Sequence, residues 1–387
     1  MTSTPSAIPE RPDGDSLAAI HMLSEECARH FDPDSGELRN QAILDSCPAC
    51  GSGRFAEKFS LYGFKYARCR ACRFMFVNPR LNDQGSRDFY NSPFYNALLE
   101  TEYYVVKHGR DRYYSSSTEN HALRDALVET IREIASPQST VLDMGCGGGA
   151  LLDLLRTEHG FEKVAGIDLN RRAATFARDV RNLDVVCGDA KTALAERKFE
   201  VVLSVETIEH MNDIDAYVRA ARGVMTPNAL LLITTPRNDR IADLLFGKLA
   251  DSYMAPNHIN FFDEKNLGAV LRRNGLTVRA VRYLEGRMGA GYLHKRFTRE
   301  RDFVAYDPPF AGPAVVYIPK SFRGDRRQYV AQSGGVHRLV PIESSAISHG
   351  SQSGAARLSR RASEVVSVNR PVHMILVAGA DGSLKRT

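Results

Sequence analysis

The sequence predicts an α/β protein: a seven-stranded, mostly parallel sheet with helices on both faces, preceded by a small zinc ribbon. Three observations carry this expectation. Short apolar runs alternate with helix-period segments from Thr140 onward, a glycine loop follows the first of those runs, and two Cys-x-x-Cys pairs lie upstream. Strands separated by helices of this length form a parallel sheet covered on both faces. At 387 residues, 43% apolar and 25% charged, the chain is long enough to bury a substantial core. It contains no apolar run of about 18 residues that would mark a membrane span. Its first thirty residues lack the basic start and apolar stretch of an export signal. A cytoplasmic protein is expected.

The elements follow in order. Residues 1–39 read as a disordered, Ser/Thr/Pro-rich lead-in and then a short amphipathic helix near Ser16–His30. Residues 40–80 carry the cysteine pairs. Residues 81–137 are aromatic and helical, with Phe89, Tyr90, Phe94, Tyr95, Tyr103, Tyr104, Tyr113 and Tyr114 in a connector or cap beside the next domain. Its last helix, Glu119–Ala135, has Leu123, Leu127, Ile131 and Ile134 at helical spacing and stops at Pro137. The core, 138–285, has strands at Thr140–Met144, Val164–Asp168, Asp184–Cys187, Phe199–Val205, Leu230–Thr234 and Thr277–Tyr283. Helices are expected at Ala150–Glu158, Arg171–Arg181, Ile214–Val224 and Glu264–Asn274. A turn around Pro227 and Asn228 precedes the fifth strand. Residues 286–370 form a basic, irregular insertion or lid with a short strand at Ala314–Ile318, and hold 14 Lys or Arg against 6 Asp or Glu. In 371–387, Val372–Ala378 supplies the final strand, followed by a tail.

Cys47/Cys50 and Cys69/Cys72 are two knuckles 18 residues apart. Four thiolates at this spacing suit a tetrahedral structural zinc between short hairpins, with Gly51 and Gly53 in the turn after the first knuckle. A site closed by four sulfurs leaves no position for water or substrate, so it stabilises a module rather than performing chemistry.

The run Val141–Gly149 places Gly145, Cys146, Gly147 and Gly149 where a strand turns into a helix, so that backbone can approach a ligand closely. Asp143 precedes the loop. Asp168, 25 residues on, ends the second strand, where a carboxylate can accept both hydroxyls of a ribose. Asp189, beside Ala190, follows the third strand and suits an adenine amino group. Read singly, Asp143 is equally a helix cap and Asp189 a turn residue. Their joint placement resembles class I S-adenosylmethionine (SAM)-dependent methyltransferases, whose core is a Rossmann-like sheet. The resemblance implies SAM as cofactor: Asp143 to Gly149 around its methionine part, Asp168 and Leu169 at the ribose, Asp189 and Ala190 at the adenine, and Ser204 and Val205 facing the cofactor. Cys146 and Cys187 otherwise read as ordinary core or loop cysteines.

Glu206, Glu209 and His210 follow the fourth strand. His210 is the best single candidate for a general base, because its ordinary pKa lies near working pH. The Glu-x-x-Glu-His run resembles that of quinone-precursor O-methyltransferases and of terminal-ribose methyltransferases of small RNAs. In some of these the two Glu and the His hold a divalent ion with a later His, here His258. Base catalysis by His210 or His258, an additional divalent ion, and a structural role all stay open. The run from Tyr66 to Pro79, ending Phe-Val-Asn-Pro, is similar to zinc-ribbon modules of bacterial small-molecule methyltransferases, including C-methyltransferases of nucleotide-linked sugars. Those sugar enzymes continue into a second α/β domain, for which no equivalent pattern appears here.

The leading reading is methylation of a small metabolite in a biosynthetic pathway, on oxygen or carbon. The acceptor class includes phosphate-bearing and carrier-linked compounds; nucleic acid is not the expected partner, and the oligomeric state is left open. The second reading is an RNA methyltransferase, with Arg68, Arg70 and Arg73 on phosphates and Phe74 and Phe76 stacking on bases. The third is a noncatalytic protein that binds SAM or a partner through its ribbon.

Overall fold

The computed structural model describes residues 25–98, 118–189, 197–238, 253–289, 328–331, 339–342 and 367–380. Residues 1–24 of the expected lead-in, Tyr103, Tyr104, Tyr113, Tyr114, Ala190 and the short strand at Ala314–Ile318 lie outside them, whereas residues 25–39 are described, helical at 25–29, with Cys27 and Leu38 buried against Phe64 and Tyr66. The amino-terminal part holds β1 (Gln41–Ala42), β2 (Phe55–Leu61), β3 (Phe64–Cys69), β4 (Met75–Val77) and β5 (Arg80–Leu81). β2, β3 and β4 form an antiparallel meander, while β1 pairs with β5 across it in sequence. Helices α1 (Asp83–Tyr90), α2 (Pro93–Leu98) and α3 (Thr118–Ile134) follow. Asn82 starts α1 by accepting from the Gly85 N–H at 2.9 Å.

The core then runs β6 (Val141–Met144), α4 (Ala150–His159), β7 (Val164–Asp168), α5 (Arg171–Asp179), β8 (Asp184–Cys187), β9 (Phe199–Val205), α6 (Ile214–Gly223), β10 (Met225–Pro236), β11 (Asn260–Phe261), α7 (Glu264–Arg273) and β12 (Leu276–Gly289). A hairpin of β13 (Gln328–Ala331) and β14 (Leu339–Ile342) precedes β15 (Ser367–Ala380). Seven strands join in the order β12-β15-β10-β9-β6-β7-β8. β8, β7, β6, β9 and β10 pair in parallel, and β15 is antiparallel to both its neighbours. β6 is buried along its whole length, as a strand covered on both faces requires. Asn170, Asp213 and Asp263 cap α5, α6 and α7 through backbone N–H groups three residues on.

The sheet is the seven-stranded, mostly parallel one expected, with three differences of extent. The turn around Pro227 and Asn228 is absorbed into β10 as a register shift between Met225 and Leu230. β12 continues beyond Tyr283, and its ladder with β15 reaches Gly289↔Ser367, so the strand pair enters the segment read as an irregular insertion. The last strand is correspondingly longer than Val372–Ala378. From β6 the chain builds outward to β7 and β8, and returns through β9 to the other side. That reversal opens a crevice at the carboxyl ends of β6 and β9, where open α/β sheets bind ligands.

The ribbon is joined to this core by backbone. β11 pairs antiparallel with β4, Asn260 opposite Phe76 and Phe261 opposite Met75, which gives a four-stranded sheet of order β11-β4-β3-β2. Cys47, Cys69, Phe74 and Phe76 belong to the same buried cluster as Phe262, Leu267 and Leu271 of the core. Phe74 packs on Phe262 with ring centroids 5.1 Å apart. Both Phe74 and Phe76 are fully buried, so the stacking platform expected beside Arg68, Arg70 and Arg73 is occupied by the protein's own core.

Candidate active site and metal centre

The two knuckles are built alike. Gly51 and Arg73 each follow the second cysteine of their pair with positive φ, +72° and +65°. Each donates its N–H to the carbonyl of the pair's first cysteine, at 2.8 and 3.0 Å. This turn brings the four sulfurs together, with Cys47 Sγ and Cys72 Sγ 3.6 Å apart and Cys50 Sγ and Cys69 Sγ also 3.6 Å apart. Zinc–sulfur bonds of about 2.3 Å place the corners of a tetrahedron about 3.8 Å apart, so the cluster fits a tetrahedral ion. Burial raises the Cys47 thiol to about 12, whereas the N–H groups of Cys72 and Ala71 outweigh burial at Cys69 and bring it to about 7. Arg273 donates to the carbonyls of Pro48 and Ala49 while pairing with Asp215 at 2.7 Å, which ties the first knuckle to α6 and α7.

The glycine loop lies at the carboxyl end of β6. Gly145, Gly147 and Gly149 have φ of +94°, +53° and +75°. A Cβ on Gly145 would stand 2.4 Å from Thr207 Oγ1, so the close approach of β6 to the turn after β9 requires glycine there. Gly145 and Cys146 both donate to the Ile167 carbonyl, which bends the loop over β7. Cys146 is buried, and its sulfur fills the space left by Gly166.

Asp143 is buried at 3% exposure, and its Oδ1 has no hydrogen-bond partner among the described residues. Burial, with Asp168 adding like charge, pushes its carboxyl up to about 7. A buried carboxylate oxygen without a partner is costly unless a cation completes it, and the ammonium of SAM's methionine part is such a cation. Asp168 accepts from Gly147 N and Asn170 N, both at 2.7 Å; desolvation raises its pKa and these donors oppose the rise. Leu169 and Asp189 are half-buried beside it. Ser204 is fully buried, and Tyr217 Oη bridges its Oγ at 2.9 Å and the Met144 carbonyl at 3.1 Å, while the neighbouring Val205 is half-buried.

The turn after β9 is a 3-10 segment, Ile208–His210. Glu206 enters it at φ +48°, a left-handed conformation that costs a non-glycine residue about 1 kcal/mol or more. His210 Nδ1 lies 2.7 Å from the Asn257 carbonyl and Nε2 3.0 Å from the Glu206 carbonyl. Burial lowers its pKa, against the pull of Asn257 and Glu206. Its ring centroid is 5.0 Å from that of His258 and 6.0 Å from that of Tyr90. Glu209 is buried; Thr235 Oγ1 donates to its Oε2 at 3.0 Å, and Oε1 has no hydrogen-bond partner among the described residues but lies 3.8 Å from His210 Nε2. Burial and then Glu206 hold the Glu209 carboxyl well above the usual range. One ligating atom each from Glu209, His210 and His258 lie within 4.8 Å of one another, a spacing able to hold a metal ion.

The structure thus gathers Glu209, His210 and His258 around the turn after β9, and places Asp143, the glycine loop and Asp168 at the carboxyl ends of β6 and β7. Sequence reasoning missed the groups that join them. Tyr90 reaches Asn257 from α1, at 3.2 Å to its side-chain oxygen, and Asn170 donates to the Tyr90 carbonyl. Asn260 donates to the Met211 carbonyl at 2.7 Å. Their partners are far away in sequence, so no local pattern announces them; the aromatic richness around Tyr90 was the only available signal.

Residues 113–281 match the family described as "Methyltransferase domain". The ubiquinone biosynthesis O-methyltransferase of Hydrogenovibrio crunogenus is 26% identical over 171 residues, 40% of this chain and 70% of that protein. The protein of the same name from Rhodopseudomonas palustris strain BisB5 is 33% identical over 123 residues, 29% of this chain and 48% of that protein. A putative methyltransferase structure from Bacillus halodurans aligns at 14% identity and a TM-score of 0.42, covering 66% of this chain and 98% of that one. That likeness is too loose to carry weight. The sheet order, the glycine loop between its carboxylates and the family match make this core a class I SAM-dependent methyltransferase domain.

Proposed function

We propose that the protein transfers the methyl group of SAM to a hydroxyl oxygen of a small molecule in a biosynthetic pathway. The observation that carries the reading is the pairing, beside the same strand ends, of the buried Asp143 carboxylate, whose Oδ1 has no hydrogen-bond partner among the described residues, with a largely desolvated histidine. SAM supplies a methyl already activated by its sulfonium, so the protein's task is alignment and proton acceptance. Asp143 would hold the ammonium, and Asp168, fixed by Gly147 and Asn170, would accept from the ribose. With Nδ1–H donated to Asn257, His210 keeps its lone pair on Nε2. Nε2 faces the Glu206 carbonyl at 3.0 Å, so the acceptor hydroxyl would have to displace that contact to deliver its proton to the lone pair. The O-methyltransferase names of the matched proteins agree with an oxygen acceptor. Burial of Phe74 and Phe76 weakens the alternative of an RNA substrate.

The test is methyl-labelled SAM with zinc-replete protein and size-fractionated extract from its native cells, the label located by mass spectrometry. Label on an oxygen of a small molecule is expected. Label confined to RNA or protein would overturn the reading. A rate independent of added divalent ions, at constant zinc, would separate proton acceptance from metal coordination by Glu209, His210 and His258.

A further inference from the structure

Arg80 is fully buried, and among the described residues no carboxylate pairs with it. Burial draws its guanidinium down to about 9. An apolar side chain of similar volume would avoid that desolvation, so the position makes physical sense only if the donors are needed. The donors reach three separate segments. Nε donates to the Val77 carbonyl at 3.0 Å, at the end of the ribbon meander. Nη1 donates to Asn260 Oδ1 at 3.2 Å and reaches the Asn212 carbonyl at 3.5 Å, while Nη2 reaches the Ile259 carbonyl at 3.5 Å.

Those segments bracket the histidine pair. Asn260, oriented by Arg80, donates through Nδ2 to the carbonyls of Met211 at 2.7 Å and Glu209 at 3.3 Å. Ile259 N–H donates to the Glu209 carbonyl at 3.0 Å, and Val77 N–H to the Ile259 carbonyl at 2.9 Å. His210 lies within the turn so gripped, and Asn257, whose carbonyl faces its Nδ1, lies two residues before Ile259. A guanidinium suits this task because its donors are fixed in one plane, which a flexible ammonium cannot reproduce.

We propose that Arg80 is a positioning residue: a guanidinium from the ribbon that sets the register between the Ile208–His210 turn and residues 257–260, and so holds the Nδ1–H form of His210. Its consequence for methyl transfer rests on the reading of His210 as the proton acceptor; the positioning itself does not. Glu206, Glu209, His258 and Tyr90 also surround His210, so the decisive readout is the ring's tautomer rather than the rate alone.

The full-length, zinc-loaded protein labelled with 15N-histidine would be examined by long-range proton–nitrogen spectra, with His210 assigned through His210→Gln. In the wild type a single Nδ1–H tautomer is expected. Arg80→Met should give mixed tautomers, and Arg80→Lys an intermediate pattern, while affinity for S-adenosylhomocysteine stays within about twofold. An unchanged His210 tautomer in folded Arg80→Met would overturn the proposal; a loss of S-adenosylhomocysteine affinity of about tenfold marks general unfolding and passes the test to the second variant. If Arg80→Met fails to fold, Asn260→Ala is read the same way: a mixed tautomer supports the proposal and an unchanged one overturns it. Methyl transfer that survives His210→Gln would defeat the proton-acceptor reading while leaving the tautomer result intact.

Discussion

Asp143 carries the most testable chemistry of any single residue. Its folded value of about 7 lies above the ordinary 3.8. The folded state therefore holds more protons than the unfolded state between those values. The group's contribution to stability is fully present below 3.8 and is lost as pH rises through 7. Thermal unfolding of the ligand-free protein should show this decline, and Asp143→Asn should flatten it. Calorimetric affinity for SAM should rise through pH 7 in the wild type, where Asp143 ionises to meet the ammonium. Asp143→Asn should lose that pH dependence and about tenfold or more in affinity. Gly145→Ala, forcing a Cβ to within 2.4 Å of Thr207 Oγ1 at φ +94°, should lower both melting temperature and SAM affinity. At this scale the glycine loop, Asp143, Asp168, the knuckle cysteines and the turn histidine were legible, because each stands in a short run with its own chemistry. Arg80 and Asn260 were not. Their meaning lies in hydrogen bonds spanning 180 and 49 residues, for which composition and periodicity hold no signal.

At the scale of elements, the ribbon and the core are coupled more closely than a string of modules suggests. The strand pattern of β6 to β10 could be read from apolar runs, since parallel strands buried on both faces are continuous in hydrophobicity. The two-residue β11 could not, because a strand that short has no period. Yet β11 is the strand that continues the ribbon's sheet, and Arg273 ties the first knuckle to α6 and α7. Cys69→Ser should therefore do more than release zinc. It should lower the melting temperature of the whole chain, and calorimetry should show one merged transition in the wild type. A core melting temperature indifferent to Cys69→Ser would mean that the ribbon is a separate unit. α1 is coupled in the same way: Tyr90 faces His210 while its backbone carbonyl accepts from Asn170, whose own N–H donates to Asp168. Tyr90→Ala should weaken acceptor turnover more than SAM affinity, measured as kcat/KM for the acceptor against calorimetric binding.

For the whole molecule, the geometry sets a buried carboxylate under a glycine loop near a histidine pair, His210 desolvated and His258 half-buried, held by segments from the ribbon, α1 and residues 253–262. The basic segment 286–370 carries 14 Lys or Arg against 6 Asp or Glu and adjoins the β12–β15 ladder, which suits an acidic acceptor. If that segment helps recognise the acceptor through its charge, turnover should fall with salt while SAM affinity does not. The most direct measurement is a crystal structure of the zinc-loaded protein with S-adenosylhomocysteine. The account predicts the amino group beside Asp143, the ribose on Asp168 and the sulfur directed toward the His210–His258 pair. A cofactor product bound with its sulfur turned away from those histidines, or with Asp143 still unpartnered, would contradict it.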